Sequence, residues 1–501
     1  MSPKPSVGRR QVVTVAILMI ACFVLPGCTV GPDYQAPTVA APADWVARES
    51  PSLEPGAEVL AEWWTRLEDP LLSELLTRAV ASNHDLRVAE ARVREARAQR
   101  RVASAKQLPK IDGSADATRF RLSRNGVGIG SVASQQGLVN QEDDFFQAGV
   151  DTSWELDLFG GIRRTVEGAE ARARAADEER RGVLLSVLAE VASSYVELRG
   201  AERRLQVAED NIRIQRETLE LVANKVETGL SRRLEEVRAS ALLAATRSSI
   251  PTLEAARRIS SYRLAVLLGE EPGALANELA AAAPVPLPPE LVPIGLPSEL
   301  LRRRPDVRAA ERRLAAATAD IGVAVAELYP RFVLAGAVGG ESASVSNLLQ
   351  SASRTWLLQP SLRLPIFQRR IRANIKAVEA RTEQMLARYE QAVLRAVEET
   401  ESAIERYVRQ RQAGERLGEA VAASRRAVEL AEVLYSRGLT DQLTVLDAQR
   451  TLNDVEDRLA LSDTALATQV IAIYKALGGG WQAFEPSAAE KVAAPVGVSA
   501  P

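Results

Sequence analysis

The stretch from Leu184 to Val226, LLSVLAEVASSYVELRGAERRLQVAEDNIRIQRETLELVANKV, decides the fold. Leu184, Val191, Leu198, Leu205, Ile212, Leu219 and Val226 stand at every seventh place without a miss, and Leu188, Tyr195 and Val222 fill intermediate places. On a helix of about 3.6 residues per turn such a repeat drifts, so helices that keep it buried wind around one another left-handedly. No proline interrupts the chain from Gly160 to Val226. At about 1.5 Å per residue that run extends roughly 100 Å, deeper than any compact globular core. The spacing predicts a long coiled-coil helix.

Working outward, the same unit recurs 209 residues later. Ile162-Arg163 falls on Ile371-Arg372, and Glu170-Ala171-Arg172 on Glu379-Ala380-Arg381. Glu190 meets Glu399, Glu220-Leu221 meets Glu429-Leu430, and Gly229-Leu230 meets Gly438-Leu439. Leu234 meets Leu443, and Leu268-Gly269 meets Leu477-Gly478. A register held this long without a gap marks one architecture built twice. Upstream of each long helix a shorter one is expected, Asp85–Gln107 and Asp306–Leu328, each ending at a proline, Pro109 and Pro330.

After each proline the pattern turns to strand. Phe146, Ala148, Val150, Thr152, Trp154, Leu156 and Leu158 alternate with Gln147, Gly149, Asp151, Ser153, Glu155 and Asp157, a period of two. Ile111–Leu122 is a weaker partner. In the second half, Arg331–Gly339 and the run marked by Trp356, Leu358, Leu362, Leu364 and Ile366 form the other pair. Strands of about ten residues, apolar on one face, suit a membrane barrel or a soluble hairpin on a core. Four strands cannot close a barrel, which needs about eight. Strands that cross lipid tolerate no open edge, so several chains would have to share one barrel.

At the N-terminus, Lys4, Arg9 and Arg10 precede a short apolar run from Gln11 to Leu25, which reads as a secretory signal over residues 1–27. It ends in Leu25-Pro26-Gly27-Cys28, similar to a bacterial lipobox with an unusual Pro26, and Cys28 is the expected lipid acceptor. Thr29 in the following place, by that resemblance, favours the outer membrane. Cleavage removes three positive charges and takes the net charge from −2 to −5, which gives no reason to expect nucleic acid. Cys22 leaves with the signal, so no disulfide is expected. Residues 28–69 read as a Pro/Ala-rich lipidated tether. Repeat 1 covers 70–270, with its strand pair at about 111–158 and a helical hairpin at about 160–269. A proline-rich linker covers 271–297. Repeat 2 covers 298–479, with strands at about 331–366 and a hairpin at about 368–479, and a tail follows from 480 to 501. Beyond the signal no run of about 20 apolar residues appears, so no transmembrane helix is expected.

Three stretches carry a resemblance: Cys28-Thr29-Val30-Gly31-Pro32-Asp33-Tyr34, Arg303-Arg304-Pro305-Asp306-Val307-Arg308-Ala309-Ala310-Glu311, and Gly438-Leu439-Thr440 with Leu446-Asp447-Ala448-Gln449-Arg450. With them the chain resembles the outer-membrane factors of tripartite efflux pumps, the TolC/OprM-like proteins, in their NodT-type lipoprotein branch. The resemblance implies a mixed α and β membrane protein. It would be a homotrimer whose 12-stranded outer-membrane β-barrel continues into a 12-helix periplasmic α-barrel. It also implies two partners, a periplasmic adaptor and an inner-membrane RND transporter.

The expected function is a passive duct for drugs or other small molecules. An outer-membrane duct for type I secretion or metal efflux, and a periplasmic coiled-coil adaptor, are the alternatives. No P-loop, nucleophile–His pair or metal-ligand spacing occurs, so neither enzyme activity, cofactor nor metal is expected. The single histidine, His84, reads as solvated or capping, and the helical Asp, Glu and Arg residues as solvated faces and i,i+4 pairs. Gly229 and Gly438 lie where a long helix must reverse. The turns with Leu230, Leu439 and Thr440 are, by resemblance, adaptor-docking tips. Leu443, Asp447 and Arg450 follow the second tip at steps of four and three and share one helix face, whereas repeat 1 has Leu234, Arg238 and Ala241 there. By resemblance this hairpin closes the tunnel, and three Asp447 carboxylates around a threefold axis would favour cations.

Overall fold

The computed structural model describes residues 29–38, 42, 44–46, 50–55, 61–121, 123 and 142–485. The signal, Cys28, nearly all of the Ser123–Asp144 link and the tail after residue 485 lie outside the described residues. The chain divides into two units, and the helices Gly161–Glu227 and Arg369–Ser436 each contribute residues to both.

The first unit comprises residues up to 37, 94–174 and 312–387. It holds a four-stranded antiparallel sheet of β2 (Lys110–Arg121), β3 (Glu142–Leu156), β5 (Arg331–Ser342) and β6 (Arg354–Arg363) in the order β2-β3-β5-β6. The pairs within each repeat are hairpins, and the β3–β5 ladder, Phe146 opposite Ser342 through Leu156 opposite Phe332, joins the repeats. Helix α3 (Gly161–Glu227) starts four residues after β3. Asp157 caps it, its two carboxylate oxygens accepting from the amides of Ile162 (3.0 Å) and Arg163 (2.8 Å), which answers the orphan donors of a helix start.

The second unit comprises residues 38–93, 175–311 and 388–485 of the described chain. It holds α1 (Pro70–Ser82), capped by Asp69, the start of α2 (His84–Ala105) and the part of α3 from residue 175 onward. The seam residues Leu184, Leu188, Val191, Tyr195, Leu198 and Leu205 are buried, whereas Ile212, Leu219 and Val226 toward the end of α3 are only half-buried.

The return limb of repeat 1 is not a single helix. It breaks into α4 (Arg233–Arg247) and α5 (Ile250–Leu267), because Pro251 cannot donate an i→i−4 bond and sits in the first turn of a new helix. In repeat 2, α8 (Arg369–Ser436) returns through an unbroken α9 (Gln442–Ala476).

The expected tether is also corrected. Trp45 is 3% exposed and donates Nε1–H to Gly295 O at 3.0 Å. Strand β1 (Leu53–Pro55) pairs in parallel with β4 (Val292–Gly295), so this stretch and the inter-repeat linker hold each other. Between β4 and α7 (Pro305–Ala326) lie a 3-10 turn, Pro297–Glu299, and a one-turn helix, α6 (Leu300–Arg303). Trp63 and Trp64 form the packed corner, with Trp63 stacked on Tyr474 and Trp64 on Phe484.

Candidate functional sites: hairpin tips, gate residues and the strand sheet

Four glycines end the long helical limbs, and each ends its helix in the same way. At Gly229 (φ +74°) the Leu230 amide donates to Lys225 O (2.7 Å) and Gly229 N–H to Val226 O (3.0 Å). At Gly438 (φ +71°) Leu439 donates to Leu434 O (2.9 Å) and Gly438 to Tyr435 O (3.0 Å). Gly269 and Gly478, both at φ +72°, repeat the pattern. These are Schellman ends, in which a left-handed residue lets the last carbonyls find donors.

The surroundings separate the four into two kinds. A Cβ at Gly269 would come within 2.7 Å of Ser82 O, and one at Gly478 within 3.1 Å of Arg303 backbone. At Gly229 and Gly438 it would meet nothing within 4 Å. The latter two are free ends, and Leu230 (79% exposed) and Leu439 (70%) project from them. Thr440 is half-buried, its hydroxyl bonded to Thr444 at 2.9 Å.

Asp441 caps α9 through the Thr444 amide. On this helix Gln442, Val445, Leu446, Gln449 and Leu452 are buried, which leaves Leu443, Asp447 and Arg450 on the open face. Arg450 Nη2 donates to Asp447 Oδ1 at 2.7 Å within the same helix, and both side chains are more than half exposed.

The two faces of the sheet differ in chemistry. One row runs Gly113, Val150, Val338, Trp356, and the next runs Ile111, Thr152, Gly336, Leu358. Phe332, Leu334 and Leu362 extend this apolar face. The other face carries Asp112 beside Asp151, Lys110 beside Ser153, and Asp116 beside Gln147. Val338, Trp356, Leu358 and Leu362 are all more than half exposed within one chain.

Several arginines expected on solvated faces are instead buried. Arg304, 7% exposed, donates to Asp306, to Glu399 (2.7 Å) and to Ala476 O (2.9 Å). Arg199, 1% exposed, reaches Glu202 and Ala281 O. The Arg-Arg-Pro-Asp run was the available signal for Arg304. His84 is exposed, and the cap of α2 is Asn83, whose Oδ1 accepts from the Leu86 amide. Among the described residues no helix is long and apolar enough to cross a membrane, and no three His, Cys, Asp or Glu side chains group as metal ligands.

Two helical repeats with free glycine ends, and one sheet with an apolar exposed face, place the chain in a mixed α and β class. The model of the outer membrane efflux protein family matches residues 75–270 and 296–479. The chain is 34% identical over 479 residues to the pyoverdine export outer membrane protein OpmQ of Pseudomonas putida, covering 94% of this chain and 97% of that protein. It is 31% identical over 470 residues to nodulation protein T of Rhizobium leguminosarum bv. trifolii, covering 92% and 96%. The solved outer-membrane channel OprN superposes with a TM-score of 0.83 at 38% identity, covering 91% of this chain and 100% of that one. The chain belongs to the outer membrane efflux protein family. It is an outer-membrane channel of a tripartite efflux system, with the fold of the trimeric TolC-like channels.

Proposed function

We propose that the protein is the passive duct of an RND-type pump, a homotrimer that takes small molecules from an inner-membrane transporter through a periplasmic adaptor and releases them outside without catalysis. The observation that carries this reading is the open four-stranded sheet. Its edges, β2 and β6, have no partner strand among the described residues, and its apolar face is exposed. In lipid such edges must be paired, and three copies joined β6 to β2 supply twelve strands. The half-buried end of the α3 seam supports the same assembly, since its apolar residues gain cover from neighbouring helices.

Within that duct, the turns at Gly229-Leu230 and Gly438-Leu439-Thr440 are the adaptor-docking tips. Leu443, Asp447 and Arg450 are the periplasmic gate, and Cys28 carries the lipid anchor. The test is detergent-resistant trimers in outer-membrane fractions together with single-channel conductance in planar bilayers. A protein recovered only as a monomer without conductance overturns the duct.

A further inference from the structure

The motif after Cys28 is explained by neither the duct nor the gate, and the first unit holds it in a fitted socket. The Val30 amide donates to Phe159 O at 3.2 Å. Arg164, in the first turn of α3, has a side chain only 3% exposed. Its Nε donates to Val30 O (3.2 Å), its Nη2 to Gly31 O (3.3 Å) and Asp33 Oδ1 (2.7 Å), and its Nη1 to Glu167 (2.7 Å). Tyr34 packs on Ala171, Ala315 and Ala316 of α3 and α7.

Three glycines make the space. Gly31 (φ +87°) lies so close to α7 that a Cβ would fall 2.5 Å from Gly322 Cα. A Cβ on Gly160 (φ +79°) would fall 2.9 Å from Thr29 Cα, and one on Gly322 would strike Arg164 Cγ at 2.7 Å.

We propose that Arg164, Gly160 and Gly322 form a receptor for the chain's own segment Thr29–Tyr34, and that filling it consolidates the junction between strand β3 and helix α3. The buried guanidinium has four partners with the segment docked. With the segment absent it keeps only Glu167 of these four and loses three charge-assisted hydrogen bonds. The glycine surfaces of Gly160 and Gly322 would at the same time lose their cover. Docking of the mature N-terminus is therefore coupled to the order of the junction on which the sheet is mounted.

The experiment uses the full-length protein in outer membranes, with a nitroxide on Gln35→Cys, an exposed position beside the socket. The label should be immobile in the parent protein. Arg164→Ala should free it and lower the yield of heat-resistant oligomer at least threefold. Arg164→Lys should do nearly as much, since one ammonium cannot span the same acceptors. Gly31→Ala lies on the segment rather than on the helices, and should release the label and lower oligomer yield with the helices unaltered. An immobile label in both Arg164→Ala and Gly31→Ala overturns the socket. A mobile label with unchanged oligomer yield overturns the coupling. The mass of the mature N-terminus separates this from lipidation: socket variants should keep the modification, whereas Cys28→Ser should lose it and leave the label immobile.

Discussion

At the scale of single residues, the two repeats solve one problem with different side chains. Asn83 and Arg304 occupy matching places, ahead of α2 and α7. Asn83 Nδ2 donates to Leu267 O at 2.8 Å, and Arg304 Nη1 donates to Ala476 O at 2.9 Å, so each caps the last carbonyls of its own repeat's return helix. Arg304 also binds Asp306 and Glu399, which are about half exposed and would rehydrate on its removal. Arg304→Ala should therefore cost about 2 kcal/mol, below the 3–5 kcal/mol of a fully buried pair. Asn83→Ala should cost about 1 kcal/mol, as for a lost cap. Thermal unfolding of purified protein ranks the two, and equal small losses would refute the assignment. A second residue gives a pH dependence. Burial pushes the Glu485 carboxyl up, but its bonds from Arg181 and Arg180 outweigh that and hold it below the usual glutamate value. A depressed folded-state pKa contributes stability above the unfolded value and loses it as pH falls through the folded value. The Trp481–Glu485 turn should accordingly become protease-sensitive only below the ordinary glutamate range, and Glu485→Gln should show the same sensitivity at neutral pH.

At the scale of elements, the free and docked glycine ends make opposite demands. Gly438→Ala and Gly478→Ala carry the same left-handed strain, about 1 kcal/mol. Only at Gly478 does the new methyl also press on Arg303 backbone. Gly478→Ala should lower the melting temperature clearly more than Gly438→Ala, and the reverse order would show that the tip is packed. If the tip docks an adaptor as proposed, Gly438→Asp should keep its oligomers and lose export. The proposed gate residues lie on the next helix. Asp447→Ala in planar bilayers should weaken cation selectivity, and Leu443→Ala or Arg450→Ala should raise closed-state conductance. Unchanged values in all three would move the gate elsewhere. Much at this scale was legible in the sequence. The seven-residue seam marked α3, the 209-residue register marked α8, and alternation marked β3. The break in the first return limb was foreshadowed only by Pro251. The docking of Trp45 on Gly295 was hidden, because its partner lies 250 residues away and a Pro/Ala-rich composition reads as free chain. The buried arginines were hidden for a related reason: on a helix their spacing matches that of solvated arginines, and only the third dimension closes around them.

At the scale of the whole molecule, the sheet order β2-β3-β5-β6 places the seam between repeats in its middle and leaves one edge to each repeat. An assembly of identical chains then has a single kind of new strand pair, β6 of one copy with β2 of the next, which a closed ring can satisfy everywhere. The sequence shows the period of two but not the register. The register decides which alternate set is shared, and it aligns Val150 with Val338 and Trp356 on one face and Asp151 with Asp112 and Ala337 on the other. In a barrel the apolar set faces lipid and the acidic set faces the lumen. Val338 and Ala337 are neighbours on one strand, so they share strand position and depth and differ only in the side they present. An arginine at the lipid-facing position costs about 2–4 kcal/mol near the bilayer midplane, whereas a lumen-facing one remains hydrated. Val338→Arg should therefore cut the heat-resistant oligomer recovered from outer membranes severely. Ala337→Arg should assemble normally and shift ion selectivity toward anions by adding positive charge beside Asp112 and Asp151. Equal assembly of the two variants would mean that the apolar face does not meet lipid, and loss of assembly in Ala337→Arg alone would invert the assignment of the two faces.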